Sequence, residues 1–481
     1  MNAKKEINEK TEFNRKKALC VLMFILTYAF LVSGLILKFF VLNFSEPEGI
    51  GFMLSFVLAM LALFLVTVTF AIHVFVSRKE LIRVPKKLGV ILATITFAYF
   101  SNIVLATFCY YYVLVSLTAL VLGPLVARKD VFVANLTAAL LFLITLSSNG
   151  VYMGAASVDY VILIALAVID TFIGSLITVV IPESNKRSIT IIMGLVLQSI
   201  ALGLIFLVAL CFSDMSLVSN VVLTIICSLA PIALALMLQP LFESLFNIVS
   251  NTKLYELTSH SSPLIKRLIK EAPGTFNHCL SVASYSEVCA IAIGENPHLA
   301  KACAYYHDIG KLENPKYFSE NQGDSNYHDG LLPEVSSEII RKHTTDGYEL
   351  CEKYRIPAEI RDVTIQHHGT LPMTVFYYKA KNLTDSDVDM YDYSYHGTTP
   401  VSKIAAIMMI CDAAEAAIRA SGKPTSEEVD KLITSIINDR ISKKQFDNCD
   451  ITMKDLNTIK NTIIEVYGGH VHKRVKYPTG K

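Results

Sequence analysis

The residues best suited to chemistry in this sequence are an adjacent histidine and aspartate, His307 and Asp308, within the segment 306–311. A neutral imidazole and a carboxylate are both good ligands for divalent metal ions, and a carboxylate is able to bridge two of them. Lys311 follows His307 by about one helical turn, which places its ammonium group within reach of a phosphate held at the same site. One His-Asp pair often arises by chance, so a metal site needs further ligands.

Further ligands do accompany the pair, each in a separate predicted helix or at its end. Eleven of the twelve histidines follow residue 248, and only His73 precedes it. The candidate ligands are His278, His307, Asp308, His343, His367, His368 and Asp412. Each of these residues, taken singly, is most simply explained by an ordinary role at the surface or at a helix cap. The ordered set predicts a centre for two divalent cations.

Helices are predicted to carry these ligands, because the region shows amphipathic periodicity and no regular strand alternation. The predicted helices cover residues 275–293, 297–311, 333–354, 357–368, 401–420, 425–440 and 453–467. The segments 313–331 and 370–400 are polar and are predicted to be loops. The predicted fold class of this domain is therefore all-α, with the histidines near helix ends and helix–loop junctions.

The first half of the chain has a very different composition. Residues 18–247 contain 19 charged residues in 230 positions, whereas residues 248–481 contain 57 in 234. The whole chain of 481 residues is 53% hydrophobic and only 18% charged, which argues against a purely soluble protein. We therefore predict a polytopic helical membrane domain followed by a soluble domain.

Apolar runs of about 20 residues predict eight membrane spans. The runs cover residues 18–42, 50–77, 88–107, 109–127, 131–149, 158–182, 188–212 and 217–241. The first run is expected to be an uncleaved signal anchor. The predicted domains are a cytoplasmic tail at 1–17, the anchor at 18–43, seven helices within 50–247, a linker at 248–274 and the soluble domain at 275–481.

Loop charge predicts the orientation of these spans. Lysines and arginines crowd the N-terminal tail and the loops at residues 78–87, 128–129 and 186–187, whereas the opposite loops contain acidic residues only. Since basic loops remain in the cytoplasm, both termini and the soluble domain are predicted to be cytoplasmic.

Polar and proline residues inside the predicted spans allow more than one interpretation. Asp170 falls near the centre of the sixth span, where a charge is costly. It predicts either a ligand or proton site facing the bundle interior, or an interhelical hydrogen bond that fixes packing, which is the simpler explanation. Pro231 and Pro240 are expected to kink the last span.

Cysteine usage and net charge exclude some classes of protein. The ten cysteines are scattered and form no CxxC pair, which argues against a zinc ribbon or a disulfide framework. The formal net charge of +1 gives no sign of a nucleic-acid-binding surface.

The ordered ligand set resembles the HD-domain metal-dependent phosphohydrolases, and the order H…HD…H…HH…D resembles their dinuclear branch. Motifs extend the resemblance to the seven-transmembrane-HD family, which includes the PgpH-type cyclic di-AMP phosphodiesterases of bacteria. The motifs are EAPGTFNH at 271–278, AYYHDIGK at 304–311, QHHGT at 366–370 and RVKYP at 474–478. The two adjacent histidines are followed by Gly369 and Thr370 rather than by the GYP signature of the cyclic di-GMP branch.

The resemblance implies a cofactor, a reaction and partners. One metal ion is expected at His278, His307, Asp308 and Asp412, with Asp308 bridging to a second ion at His343, His367 and His368. Iron and manganese both suit these donors. The implied reaction is hydrolysis of cyclic di-AMP to pApA, with Asp308 and Lys311 as catalytic residues and with Lys311, Gly369 and Thr370 in contact with the substrate. The implied partners are the cyclic dinucleotide and the lipid bilayer, without nucleic acid; a homodimer stays open.

The sequence departs from this family at one place. Family members usually carry an extracellular domain between the anchor and the seven-helix bundle, whereas here only residues 44–49 join the first two spans. We therefore expect a version without the external sensor.

Three other functions are compatible with parts of the sequence. A membrane receptor that binds a nucleotide without catalysis is favoured when one of the metal-ligating residues is missing. All seven of these residues are present here. A transporter requires more polar membrane residues than Asp170. An enzyme of the same class acting on another cyclic dinucleotide or on a nucleotide pyrophosphate stays open, because the sequence does not choose the base.

Overall fold

The computed structural model describes residues 2–42, 50–107, 114, 116–150, 157–180, 187–211, 221–323, 326–384, 387–422 and 424–470. Two predicted features, the short connection after the first span and the motif at 474–478, lie outside these residues. The chain folds into two compact units, Met1–Thr252 and Lys253–Lys481. The described residues form helices and turns and contain no named strand, so the all-α prediction is confirmed.

The first unit is a bundle of apolar helices. Its described helices are α1 (Asn2–Ile36), α2 (Ile50–Ser77), α3 (Lys79–Arg83), α4 (Pro85–Ala106), α5 (Leu117–Leu122), α6 (Arg128–Gly150), α7 (Ser157–Val180), α8 (Arg187–Cys211) and α9 (Val221–Phe246). Pro231 and Pro240, which are expected to kink the last span, both lie inside the last of these helices.

Several of these helices suit a bilayer rather than water. Four described stretches are long and apolar enough to cross a membrane, namely Thr11–Val41, Ile50–Ser77, Pro85–Ala106 and Leu229–Phe246. Large apolar side chains such as Phe30, Leu65 and Val76 point outward and are more than half exposed on the isolated chain. Apolar area of this extent is stable in contact with lipid chains. The predicted membrane anchoring is confirmed at this level.

The predicted span at 109–127 requires a correction, because its described residues, 114 and 116–127, are helical only over Leu117–Leu122. Ser116 has a left-handed backbone with φ 62°, and the helix α5 that follows it has six residues. A left-handed residue with a side chain interrupts an α-helix. Six helical residues extend only about 9 Å, far less than the ~30 Å thickness of the hydrocarbon core.

The short helix α5 lies in the interior of the bundle and is held there by polar side chains. All six of its residues are buried, and it packs against α4, α6, α7 and α9. The Asp170 carboxylate on α7 accepts the backbone N–H of Ser116, and the Gln239 amide on α9 donates to the Leu120 carbonyl oxygen at 2.9 Å. Backbone groups at membrane depth need such partners. Of the two interpretations of Asp170, these contacts favour packing.

A buried ion pair joins two helix ends of the first unit. Arg78, after α2, donates through Nε and Nη2 to the two carboxylate oxygens of Asp130 on α6, at 2.6 and 2.8 Å. Both side chains are less than a tenth exposed. The pair places the basic loop at 78–87 and the basic start of α6 at the same end of the bundle.

The second unit contains the candidate ligands and is also helical. Its described α-helices are α10 (Asn251–Leu257), α11 (Pro263–Glu271), α12 (Pro273–Ile293), α13 (Pro297–Tyr306), α14 (Pro333–Lys353), α15 (Ala358–Arg361), α16 (Val363–Gln366), α17 (Thr374–Lys381), α18 (Lys403–Ala420), α19 (Ser426–Ser442) and α20 (Met453–His470). These boundaries lie close to the predicted ones, with three exceptions. The helix predicted at 357–368 is divided into two single turns, the helix predicted at 297–311 ends at Tyr306, and the segment 370–400, predicted to be a loop, contains helix α17.

Two helices form the centre of this unit. Every residue of α18 from Ile404 to Asp412 is buried, as expected for a helix that is apolar on all sides. Helix α12 packs against α13, α18 and α20. Because both helices lie in the core, polar side chains on their facing surfaces are held in fixed positions away from water.

The stretch predicted as a linker, 248–274, contains helices α10 and α11 and is tied to the second unit. The Tyr306 hydroxyl donates to the Leu257 carbonyl oxygen at 3.0 Å and lies 3.0 Å from the Ser262 hydroxyl. Tyr306 is fully buried and directly precedes His307. These contacts therefore fix the end of helix α13, which directly precedes the His-Asp pair.

Candidate metal centre

The His-Asp pair lies where helix α13 ends. His307 and Asp308 follow the last residue of α13, and a 3-10 turn continues over Ile309–Glu313. This turn approaches helix α14 closely, since a Cβ atom on Gly310 would lie 2.0 Å from the carbonyl oxygen of His343. A glycine is therefore required at position 310. Because it has no side chain, the His-Asp pair lies next to His343, a predicted ligand on helix α14.

Three of the predicted ligands, one of them His307 itself, lie close together. His278 on α12 and Asp412 on α18 face each other, with 3.0 Å between Nε2 and Oδ1. His307 Nε2 lies 3.7 Å from the same Asp412 oxygen. All three side chains are buried, and their ligand atoms lie within 4.8 Å of one another. We call His278, His307 and Asp412 the first ligand group.

The other three histidines form a second ligand group, consisting of His343, His367 and His368. Their ligand atoms also lie within 4.8 Å of one another. The Nε2 atoms of His343 and His367 are only 3.2 Å apart, and the rings of His367 and His368 are 4.0 Å apart between centroids. Short turns of helix, α16 and the residues after it, bring the adjacent pair against α14.

Asp308 lies between the two groups and presents one oxygen to each. Its Oδ2 atom is 3.2 Å from His307 Nε2 and 3.6 Å from His278 Nε2. Its Oδ1 atom is 3.4 Å from His343 Nε2 and 3.7 Å from His367 Nε2. The structure thus brings all seven predicted ligands together, with Asp308 in the position of a bridge.

Backbone carbonyl groups orient three of the histidine rings. His307, His343 and His367 each donate Nδ1–H to a carbonyl oxygen one helical turn earlier, at 2.8, 2.5 and 3.3 Å. A carbonyl oxygen only accepts, so Nδ1 carries a proton in each ring and Nε2 is the nitrogen that faces the centre. This arrangement is the usual one for histidines that bind metals.

Unsatisfied buried atoms provide a separate test of whether a metal ion fits. Among the described residues, His307 Nε2 and Asp308 Oδ1 are buried side-chain atoms that have no hydrogen-bond partner. Buried polar atoms are normally paired, so two orphan atoms that face the same centre indicate a missing partner. Imidazole nitrogens and carboxylate oxygens together suit a divalent transition-metal ion. The residues present therefore fit the metal that their types predict.

Burial and charge determine which histidines are neutral. Burial lowers the pKa of His343 to about 3 and holds the pKa of His368 well below its ordinary value. Burial also acts to lower the pKa of His278, but the hydrogen bonds to Asp412 and Glu415 outweigh it and raise this pKa to about 9. His343 and His368 are therefore ready to bind a metal at neutral pH, whereas His278 must first lose a proton. The same holds for His307, because burial acts to lower its pKa but the Asp308 charge outweighs burial and holds this pKa well above its ordinary value.

Lys311 contacts the Asp308 carboxylate directly. Its Nζ atom lies 2.8 Å from Asp308 Oδ2 and 2.8 Å from Glu320 Oε1, and it lies over the Phe318 ring. Burial acts to raise the pKa of Asp308, but the Lys311 and His307 charges outweigh it and hold this pKa well below the usual range. The ammonium group is thus next to the centre, as the sequence predicts.

Gly369 and Thr370 follow the adjacent histidines and form a turn. Gly369 has φ +53°, a left-handed backbone that favours glycine. Thr370 donates its backbone N–H to Gln445 Oε1 at 3.1 Å, and the Gln445 amide donates to the Thr370 hydroxyl at 2.9 Å. These contacts give the turn a structural role, and contact with a substrate stays a prediction.

Sequence reasoning did not identify three side chains that surround the ligands. Glu415 accepts a hydrogen bond from His278, Glu320 pairs with Lys311, and Tyr395 stacks on His368 with 4.3 Å between ring centroids. The sequence indicates a position near the metal ligands only for Glu415, since it follows Asp412 by three residues and therefore lies on the same side of one helix. The other two lie in predicted loops, where spacing gives no information about contacts.

Comparison with known proteins identifies the second unit. Residues 275–417 match the family model named "HD domain", and this region contains all seven ligands. The second unit therefore contains an HD domain.

Half or more of the chain is homologous to PgpH cyclic-di-AMP phosphodiesterases, which confirms the resemblance found in the motifs. It is 38% identical over 301 residues to "Cyclic-di-AMP phosphodiesterase PgpH" of Bacillus subtilis (strain 168), covering 62% of this chain and 42% of that protein. It is 43% identical over 243 residues to the protein of the same name from Listeria monocytogenes serotype 1/2a (strain 10403S), covering 50% and 34%. The aligned part is thus less than half the length of these relatives.

A solved structure also matches. The crystal structure of the L. monocytogenes phosphodiesterase PgpH HD domain in complex with cyclic-di-AMP is 44% identical in sequence. The match covers 45% of this chain and 100% of that chain, with a TM-score of 0.43.

Proposed function

We propose that this chain is a membrane-anchored, metal-dependent phosphodiesterase that hydrolyses cyclic di-AMP to pApA. The observation that carries the proposal is the position of Asp308, whose two oxygens face two separate ligand groups. A carboxylate in this position is suited to hold two divalent ions close together, as in two-metal phosphoryl-transfer sites. The seven ligands are all present, which favours an enzyme over a receptor that has lost catalysis.

The proposed cofactor is a pair of divalent ions, iron or manganese. His278, His307 and Asp412 hold one ion, His343, His367 and His368 hold the other, and Asp308 binds both. When bound, two such ions would neutralise phosphoryl charge and lower the pKa of bound water to about 7.

Lys311 is proposed to carry the positive charge nearest to the ligands. Its ammonium lies between Asp308 and Glu320, which hold it at a fixed distance from the centre. A cation that is already in place stabilises negative charge that develops on a phosphoryl group. Gly369 and Thr370 are proposed to form the edge of the substrate site through the turn that they build.

Cyclic di-AMP is the proposed substrate because two similar proteins are named as phosphodiesterases of this dinucleotide. A related cyclic dinucleotide or a nucleotide pyrophosphate is the alternative substrate. The purified full-length chain in detergent, loaded with manganese, should be assayed against cyclic di-AMP, cyclic di-GMP, a mixed cyclic dinucleotide and a nucleotide pyrophosphate. We expect preferential conversion of cyclic di-AMP to pApA.

Two results contradict this proposal in different ways. Turnover of another compound in the panel, but not of cyclic di-AMP, retains the phosphodiesterase and overturns its substrate. Binding of cyclic di-AMP without turnover by the metal-loaded protein indicates a receptor. His298→Ala is a matched control, since this histidine of the same unit lies outside both ligand groups.

The proposed location is the cell membrane, with several spans and the HD domain in the cytosol. The ion pair between Arg78 and Asp130 supports this orientation, because it places two basic segments at one end of the bundle. A topology reporter inserted at Glu46 should report the outside, and one fused after Lys481 should report the cytosol. Identical results at the two positions contradict the orientation.

A further inference from the structure

His278 forms a hydrogen bond through Nδ1 with the Glu415 carboxylate, which is not one of the predicted metal ligands. Its Nε2 atom faces Asp412 at 3.0 Å, whereas its Nδ1 atom lies 2.5 Å from Glu415 Oε2. Glu415 is 7% exposed and lies one helical turn after Asp412 on α18. One helix thus supplies both a ligand of the first group and the partner that orients another ligand of that group.

This partner distinguishes His278 from the other oriented histidines. His307, His343 and His367 donate Nδ1–H to neutral carbonyl oxygens. A carboxylate is a stronger acceptor than a carbonyl group, because the hydrogen bond is charge-assisted. It increases the electron density on the imidazole, and so strengthens the bond that Nε2 forms with a metal ion.

A second contact limits the orientations open to Glu415. Arg419 lies one further turn along α18, and its Nη2 atom is 3.6 Å from the same Glu415 Oε2 atom that meets His278. The Arg419 side chain is 47% exposed, so it adds little free energy itself. Because Glu415 is buried beside His278, its carboxylate has few alternative positions.

We propose that Glu415 is a positioning residue, which fixes the ring of His278 and sets the metal affinity of the first ligand group without affecting the second. This inference rests on the proposed function, since it assumes that the two groups bind metal. Glu415 contacts neither the bridge Asp308 nor any ligand of the second group in the described contacts. Its effect on metal binding is therefore expected to be confined to one position.

The test isolates the first position before changing Glu415. In the full-length chain carrying His343→Ala, the second group is weakened, and the affinity of the first, tighter position for Mn²⁺ is measured by titration. Adding Glu415→Ala should weaken this affinity about 10- to 100-fold, as for other outer partners of metal-binding histidines. Adding Glu415→Gln should weaken it less, by about 10-fold, because the amide oxygen still accepts from Nδ1–H but has no charge. Glu427→Gln, an exposed carboxylate on α19, is the matched control and should cause no change.

A spectroscopic measurement separates this role from a merely structural one. Co²⁺ bound at the first position should show an altered visible absorption spectrum in both Glu415 variants. Unchanged affinity and spectrum in Glu415→Gln, with or without a lower melting temperature, overturn the inference. Should Glu415→Ala fail to fold, Glu415→Gln alone decides. Absence of metal binding in the wild-type chain instead overturns the proposed function, so the two failures are distinguishable.

Discussion

The Oδ1 atom of Asp308 lies 3.4 Å from the Nε2 atom of His343, on a different helix. The other oxygen of the same carboxylate lies 3.2 Å from His307 Nε2, so each oxygen serves its own ligand group. His343, in contrast, belongs to one group only. A bridging ligand and a terminal ligand should therefore respond differently to removal.

Asp308→Ala is expected to abolish hydrolysis of cyclic di-AMP and to lower the metal content of both positions. The variant loses the one group that determines how far apart two ions lie. Without metal ions to lower the pKa of the attacking water, little turnover is expected. The measurement is metal content and turnover of the purified full-length chain.

His343→Ala is the informative comparison for this variant. It should lose one ion rather than two, and excess metal should partly restore its turnover, because Asp308 and the four other histidines of the centre are intact. Near-normal turnover of Asp308→Ala with two metals bound would show that the centre is assigned wrongly.

Metal uptake should depend on pH through His278. The pKa of His278 is raised to about 9 in the metal-free protein, because hydrogen bonds to Asp412 and Glu415 outweigh burial. A metal ion must displace the Nε2 proton of His278, and also that of His307, whose pKa lies well above its ordinary value, so apparent affinity should rise between pH 7 and pH 9. Calorimetry in buffers of different ionisation enthalpy should show proton release at pH 7 that is smaller at pH 9. Affinity that is constant between pH 7 and pH 9 contradicts this prediction.

The same shift makes a stability prediction of defined sign. A folded-state pKa of about 9, above the ordinary value of 6.5, means that the protonated ring stabilises the metal-free fold. This stabilisation is complete below about pH 6.5 and is lost as the pH rises through 9. The melting temperature of the metal-free chain should therefore fall between these values, and Glu415→Gln should reduce the fall.

Much of the HD domain was predictable because its signals are local. Helix periodicity gave α12, α14, α18 and α20 to within a few residues, and ligand types in a fixed order gave the set that the structure brings together. Both properties depend on neighbours in sequence or on residue chemistry, and neither requires knowledge of tertiary packing.

Other features depend on contacts between distant segments and were not predictable. The break before α5 is compatible with an apolar run in sequence, yet its stability depends on Asp170, which is 54 residues away from its partner Ser116. The pairing of Glu415 with His278 spans 137 residues and depends on how α12 lies against α18. Composition and periodicity contain no information about such pairs.

Asp170 should matter for the fold of the first unit. Asp170→Leu removes the acceptor of the Ser116 N–H, and leaving this buried donor unpaired should cost about 1–3 kcal/mol. Asp170→Asn keeps an acceptor oxygen and should cost less. Thermal unfolding of the full-length chain in detergent, followed for the two variants, measures the difference. Equal stability of Asp170→Leu and wild type would show that the contact does not hold the break in place.

Gly310 is predicted to control the metal centre through packing alone. An added Cβ atom would lie 2.0 Å from the His343 carbonyl oxygen and 2.4 Å from the Gly347 backbone nitrogen, so Gly310→Ala must push the His-Asp turn away from α14. Overpacking of this kind costs about 1–3 kcal/mol, and the shift separates Asp308 from His343. We expect a lower melting temperature together with loss of metal from the second ligand group. Gly330→Ala is the matched control, since no described heavy atom lies within 4 Å of its added Cβ. A Gly310→Ala variant that keeps full metal content would show that the close approach of turn and helix is not needed to form the site.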